Sequence, residues 1–241
     1  MSVAAPLADA LEPLRSEPRR SAILLDVDGT LAPIVDRPED AHVPEETRRE
    51  LARLASRYAL VACVSGRPGD EVTRLVGVPG VAAVGEHGLE LAPEAKEWAD
   101  RVAVFASGVD WPAERKPLSV SFHFRRADDE AAARAYLTRV EAAARAEGLV
   151  PRWGRMVLEV RPPVEANKGT AVDALVRRAN VGRALYAGDD TTDVDAFAAL
   201  DGLALGVKVA VGSTEAPPAL LKAADLVVEG TEGVLSMLRD L

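Results

Sequence analysis

The sequence has one cysteine, few aromatic residues, few lysines and no long apolar run. Cys63, alone among 241 residues, excludes an intramolecular disulfide and a metal cluster built on cysteine. Its place in Leu60-Val61-Ala62-Cys63-Val64 marks it as a buried strand residue. No apolar stretch reaches the roughly 20 residues that a membrane span requires. The N-terminal segment carries Glu12, Glu17 and several prolines where a signal peptide would have an apolar core. A net charge of −9 with only 4% aromatic residues argues against a nucleic-acid surface, which needs clustered positive charge and stacking rings. These absences predict a cytoplasmic monomer with neither nucleic acid nor membrane as partner. Lysine occurs only at positions 96, 116, 168, 208 and 222, so a lysine beside a motif carries information. An acidic chain can still take a small anionic substrate through one or two local cations, a metal ion and helix N-termini.

What is present is a soluble composition, 48% hydrophobic and 28% charged, in an alternating order of apolar runs and helix-period segments. That order predicts a parallel sheet wrapped by helices, a Rossmann-like α/β core. Strands are expected at Ala22–Val27, Leu60–Val64, Gly80–Val84, Ala184–Ala187, Leu203–Val209 and Leu226–Val228. Helices are expected at Pro44–Arg57, Asp70–Val76, Lys168–Asn180, Thr192–Leu200, Pro217–Ala223 and Glu232–Leu238. The middle reads differently. Leu118-Ser-Val-Ser-Phe-His-Phe and Arg155-Met-Val-Leu-Glu-Val-Arg161 alternate at period two, as half-buried antiparallel strands do, and flank an alanine-rich helix at Ala127–Glu147. An α+β unit inserted in a parallel chain is most economically a small cap domain. The expected division is a core of residues 1–106 and 163–241 with a cap of residues 107–162.

The chemistry-bearing residues cluster where such a core puts its loops. Asp26-Val27-Asp28-Gly29-Thr30 follows the first apolar strand, at the carboxyl edge where open α/β sheets bind ligands. Alternation predicts that the side chains of Asp26 and Asp28 point the same way. Two like charges so close call for a cation or a shared proton. Ser65-Gly66-Arg67-Pro68, Asn167-Lys168-Gly169 and Gly188-Asp189-Asp190-Thr191-Thr192-Asp193 fall at other strand ends or helix starts. Each segment alone could be an ordinary turn or helix cap. Together they offer acids for Mg²⁺, a hydroxyl and an ammonium for phosphate, and a carboxylate nucleophile. Asp26, Asp189 and the carbonyl of Asp28 suit Mg²⁺. Asp26 is the expected nucleophile, Asp28 the proton donor and acceptor, and Ser65 and Lys168 the phosphoryl-holding pair. Asp190 and Asp193 are expected to orient the metal's waters or Lys168.

On these motifs the chain resembles the haloacid-dehalogenase superfamily of aspartate-nucleophile phosphatases, in the subclass with an α/β cap between the second and third motifs. A finer resemblance, to the trehalose-6-phosphate phosphatase family, rests on several segments. They are Leu25–Ile34, Val64-Ser-Gly-Arg67, Gly85-Glu-His-Gly-Leu-Glu90, Glu114-Arg-Lys116, Ser121-Phe-His-Phe-Arg125, Gly154–Pro162 and Asp189–Phe197. The resemblance implies Mg²⁺-dependent hydrolysis of a sugar phosphate. It implies that Glu114, Lys116, Arg125, Arg155 and Glu159 reach the sugar, and that Gly66, Arg67 and His87 also contact the substrate. Three positions depart from the family pattern: Arg155 replaces a frequent lysine, Val194 a usual acid, and Glu86 a frequent asparagine. Other readings are a phosphatase of sucrose phosphate, mannosyl-phosphoglycerate or a hexose phosphate, a phosphomutase, or a non-catalytic sugar-phosphate binder.

Overall fold

The structure is a computed structural model and describes residues 4–35, 37–154, 156–214 and 216–241. In chain order its first half contains helix α1 (Ala4–Ser16), strand β1 (Ser21–Leu25), α2 (Glu45–Arg57), β2 (Leu60–Val64), α3 (Gly69–Val76) and β3 (Val81–Val84). There follow α4 (Ala99–Ser107), β4 (Glu114–Arg115), β5 (Val120–His123), α5 (Glu130–Ala146), β6 (Val150–Gly154) and β7 (Val157–Arg161). The last part runs α6 (Lys168–Ala179), β8 (Arg183–Gly188), α7 (Asp193–Leu200), β9 (Leu205–Gly212), α8 (Pro218–Ala223), β10 (Leu226–Glu229) and α9 (Gly230–Asp240). No helix among the described residues is long and apolar enough to cross a membrane.

Two compact units result. One comprises residues 1–88 and 166–241, the other residues 89–165. The first holds a six-stranded parallel sheet in the order β10-β9-β8-β1-β2-β3. Period two sorts its side chains onto two faces. Ile23, Leu25, Val61, Cys63, Leu185 and Ala187 pack with Leu11 and Leu14 of α1, Leu51 and Leu54 of α2, and Val234 and Met237 of α9. Ala22, Leu24, Ala62, Val64, Ala184 and Tyr186 pack with Val172 and Val176 of α6, Phe197 of α7 and Leu220 of α8. Burial on both faces explains why these strands read as continuous apolar runs. Cys63 is fully buried as expected, and burial pushes its thiol up to about 12, so it is inert at neutral pH.

The strand order reverses at β1. The chain leaves it towards β2 and β3, then returns through α6 to lay β8 along its other side. That switch opens a crevice at the carboxyl ends of β1 and β8, the place where doubly wound sheets hold ligands.

The second unit is an antiparallel sheet, β4-β5-β7-β6, covered on one face by α4 and α5. Val120, Phe122, Leu158 and Val160 face Leu137, Val140 and Ala144 of α5. The unit begins at Leu89, earlier than the expected boundary at 107. The reason is α4: its Val102, Phe105 and Ala106 complete the apolar core of this unit and not that of the parallel sheet. At the other joint the division falls at 165/166, three residues from the expected 162/163.

Candidate active site

β1 ends at Leu25, and Asp26 is the first residue beyond it. Its N–H still donates to the Ala187 carbonyl at 2.9 Å, which ties the turn to β8. From there the chain bends: Leu31 and Ala32 donate to the Val27 carbonyl and Gly29 donates to the Ala32 carbonyl. The two carboxylates that flank Val27 take different partners. Asp26 is 4% exposed and faces Lys168, whereas the Asp28 side chain is 38% exposed and faces Arg67.

Lys168 opens α6 behind a capping box in which Asn167 Oδ1 accepts from Thr170 N–H and Thr170 Oγ1 accepts from Asn167 N–H. A cation at a helix N-terminus opposes the helix dipole. Here two carboxylates outweigh that penalty. Lys168 Nζ donates at 2.6 Å to Asp26 Oδ1 and at 2.6 Å to Asp193 Oδ1, with the lysine 3% and Asp193 0% exposed. Burial alone would favour the neutral amine, but Asp193 and Asp26 hold the ammonium well above its ordinary range. Asp193 is anchored further. Its Oδ1 accepts the Tyr186 hydroxyl at 2.7 Å, and its Oδ2 accepts the Asp190 N–H at 2.9 Å.

Asp189 completes an acid trio with Asp26 and Asp193, whose oxygens lie within 4.8 Å of one another. The approach is possible because Gly29, at φ 85°, has no side chain: a Cβ there would stand 2.1 Å from Asp189 Oδ2. At Gly188 a Cβ would stand 2.2 Å from the Asp193 carboxyl carbon. Burial, then the Asp193 charge, push Asp189 up to about 7, and burial raises Asp26 despite the opposing Lys168. An all-oxygen, buried acid cluster whose charges repel one another is a fitting donor set for a hard divalent cation. Asp193 already accepts three protein donors, two on Oδ1 and one on Oδ2, so Asp26 and Asp189 are the less committed carboxylates for a metal.

Asp28 was expected near the metal through its carbonyl and near the substrate through its carboxyl. Its carboxylate is clamped bidentately by Arg67: Nε donates to Oδ2 at 2.7 Å and Nη2 to Oδ1 at 2.8 Å. Arg67 is itself braced by the Pro38 carbonyl at 3.1 Å and by Glu71. Ser65, 1% exposed at the end of β2, accepts the Arg67 N–H on its hydroxyl at 3.2 Å. The loop after β3 closes over this turn. Glu86 N–H donates to the Arg67 carbonyl and His87 N–H to the Ser65 carbonyl, both at 2.9 Å. Glu86, His87 and Gly88 all have positive φ, at 49°, 53° and 95°, a conformation costly for the two non-glycines. The strained path lays the His87 ring over Gly66, where a Cβ would be 2.6 Å from Nε2. Glu86 is fully buried.

In the antiparallel unit, register places Glu114 opposite Ser121, Ser121 opposite Glu159, and Glu159 opposite Arg152. Period two adds Lys116, His123 and Arg161 to the same polar face. Lys116 Nζ lies 3.7 Å from Glu114 and 3.9 Å from Glu159. His123 Nε2 lies 2.7 Å from Glu114 Oε2, and Arg161, 3% exposed, is 3.9 Å from Glu159. Arg125 is exposed in the turn after β5. Arg155 lies outside the described residues. Sequence reasoning brought together Glu114, Lys116 and Glu159 but missed Tyr186, Glu71, His123 and Arg161 as their neighbours or those of the core acids. For Tyr186 and Arg161 the available signal was a hydroxyl or charge set in a buried strand, which must find a partner.

The trehalose-phosphatase family matches the chain over residues 24–111 and 112–224. The chain belongs to the trehalose-phosphatase family. A trehalose-phosphate phosphatase of Mycobacterium avium is 37% identical over 210 residues, covering 76% of this chain and 52% of that protein. The trehalose-6-phosphate phosphatase of Aspergillus fumigatus superposes with a TM-score of 0.64 at 26% identity, over 97% of this chain and 96% of the other. A haloacid dehalogenase-like hydrolase from Bacteroides thetaiotaomicron shares the fold, with a TM-score of 0.61 at 17% identity over 91% and 98% of the two chains. The chain spans about half the length of the mycobacterial phosphatase it matches and 16% of a longer mycobacterial relative. The α/β core with an inserted antiparallel unit is that of a trehalose-phosphatase family member, and a haloacid dehalogenase-like hydrolase shares this fold.

Proposed function

We propose that this chain hydrolyses trehalose 6-phosphate to trehalose and inorganic phosphate through a phosphoryl group carried on Asp26. The observation that carries the reading is the buried array at the β1/β8 switch, in which Lys168 joins Asp26 to Asp193 while Asp189 packs against Gly29. Lys168 fixes the Asp26 carboxylate and favours its charged, nucleophilic form against the burial that raises it. An Asp26 oxygen attacks phosphorus, forming a carboxyl O–P bond as the bond to the sugar oxygen breaks. Asp28 gives that oxygen a proton. In the second half Asp28 takes a proton from the water that attacks the acyl phosphate, and Asp26 is regenerated. Arg67 donates to both Asp28 oxygens and so fixes the plane of the carboxyl group that serves the acid step. Ser65 and Lys168 hold phosphoryl oxygens.

Asp26, Asp189 and the Asp28 main-chain carbonyl would hold Mg²⁺, which supplies charge neutralisation for phosphoryl transfer. Glu114, Lys116 and Glu159 read the sugar hydroxyls, with Arg125 and Arg155 assigned to the same task. Their support is the charged face of the antiparallel sheet and the family to which the chain belongs.

The test is phosphate release from trehalose 6-phosphate, sucrose 6-phosphate and glucose 6-phosphate, each with Mg²⁺ and with chelator. The expected result is Mg²⁺-dependent turnover with strong preference for the trehalose ester. Equal slow cleavage of all three would remove the substrate assignment. Turnover unaffected by chelator would remove the metal.

A further inference from the structure

We infer that Tyr186 is a positioning residue: its hydroxyl orients the Asp193 carboxylate so that Lys168 is delivered to Asp26. The inference rests on the phosphatase reading and deepens it. Lys168 Nζ divides its donors between Asp26 Oδ1 and Asp193 Oδ1 at equal distances of 2.6 Å. Wherever Asp193 turns, the ammonium follows, and Asp26 loses or keeps its counter-charge accordingly. Two donors other than the lysine fix that carboxylate. The Asp190 N–H holds Oδ2 at 2.9 Å, and the Tyr186 hydroxyl holds Oδ1 at 2.7 Å, the oxygen Lys168 also uses.

A carboxylate gripped at both oxygens cannot rotate about its Cβ–Cγ bond without losing a charge-assisted hydrogen bond. The ring behind the hydroxyl is equally fixed. Tyr186 is fully buried in β8 and meets Phe197 of α7 edge-on, with centroids 6.1 Å apart and planes at 81°. The strand that leads into Asp189 and the helix that opens with Asp193 therefore share one aromatic contact. Asp193 fills the space where a Gly188 side chain would be, which brings its carboxylate within reach of the phenol. Burial and the neighbouring Asp193 charge keep the phenol protonated, so it remains a donor throughout the working pH range.

Tyr186→Phe removes the hydroxyl and keeps the ring, and Tyr58→Phe is its control. Tyr58 is a second buried tyrosine of the same unit, with its hydroxyl on the Leu241 carbonyl at 3.1 Å and no place in the site. Kinetics are measured on trehalose 6-phosphate and on p-nitrophenyl phosphate with saturating Mg²⁺, and Tm is measured for each protein. Tyr186→Phe is expected to lower kcat about tenfold on both esters with KM unchanged within about twofold, the usual cost of losing an outer contact to a catalytic group. Tyr58→Phe is expected to lower Tm while leaving kcat at the wild-type value. Equal kcat in Tyr186→Phe and Tyr58→Phe would overturn the inference. If wild-type protein releases no phosphate from either ester, the phosphatase reading fails instead. The anchoring is then decided by unfolding. Tyr186→Phe should lower Tm by about 3–8 °C in the wild-type background and by less than about 1 °C beside Asp193→Asn. Equal losses in both backgrounds would contradict it.

Discussion

The two units handle charge in opposite ways. In the parallel unit the charges are dry and tightly paired: Asp26, Lys168 and Asp193 are all at most 4% exposed, and their contacts are 2.6 Å. In the antiparallel unit the Glu114 and His123 side chains are 38% and 53% exposed and 2.7 Å apart, while the more buried Lys116 stands 3.7–3.9 Å from its acids. A dry, short-contact array is preorganised and strong because no water screens it, and losing one partner leaves a buried charge stranded. An array that is wet at one edge and joined partly by longer contacts adds less to stability and exchanges partners more easily. The first suits a reaction whose charges must stand in fixed places. The second suits hydroxyl recognition, where side chains swap water for ligand.

Breaking the dry array should have the largest effect. Asp26→Asn is expected to abolish phosphate release, by about 10⁴-fold or more, with a native circular dichroism spectrum. A variant with near-wild-type turnover would end the nucleophile assignment. Gly29→Ala comes next. The added methyl meets the Asp189 carboxylate and the backbone needs positive φ, so turnover should fall about a hundredfold and stability by about 1–3 kcal/mol. Steady-state kinetics and denaturant titration check both.

The smallest effect concerns pH. Asp189, pushed up to about 7, holds a proton in the metal-free folded state that the unfolded chain has released above its ordinary value of about 3.9. Folding then takes up a proton between those values, so stability falls as pH rises from about 4 to 7. The Tm of the chelated protein should decline across that window through this group, while stabilisation by Mg²⁺ grows. A Mg²⁺ effect on Tm that is flat with pH would show that Asp189 does not titrate with metal binding.

Much of the parallel unit was legible because burial on both faces writes each strand as an apolar run. Leu60–Val64 has the bounds expected of it, and β8 and β10 differ from their expected bounds by a residue or two. β1 was read too long at its end. Val27 continues the apolar run, but the strand ends at Leu25 and the Val27 carbonyl is taken by turn hydrogen bonds from Leu31 and Ala32. The early boundary of the second unit was hidden because α4 is short and rich in β-branched and aromatic residues, so its period did not stand out. The pairing of Asp28 with Arg67 joins residues on two loops, and no local pattern encodes it. Tyr186 was concealed for another reason: in an apolar strand a tyrosine reads as bulk, although its hydroxyl partner opens the very next helix. Lys168 at a helix start was legible as an anomaly, and its two carboxylates account for it.

The contrast between the units is tested most directly by one ratio. The kcat/KM for trehalose 6-phosphate is divided by that for p-nitrophenyl phosphate, in wild-type protein and in Glu114→Ala/Glu159→Ala. If the wet face reads the sugar and the dry array does the chemistry, the ratio falls by about 10- to 100-fold per lost charge-assisted contact while the small ester is cleaved as before. An unchanged ratio, with both esters lost alike or both retained, would contradict the division of labour.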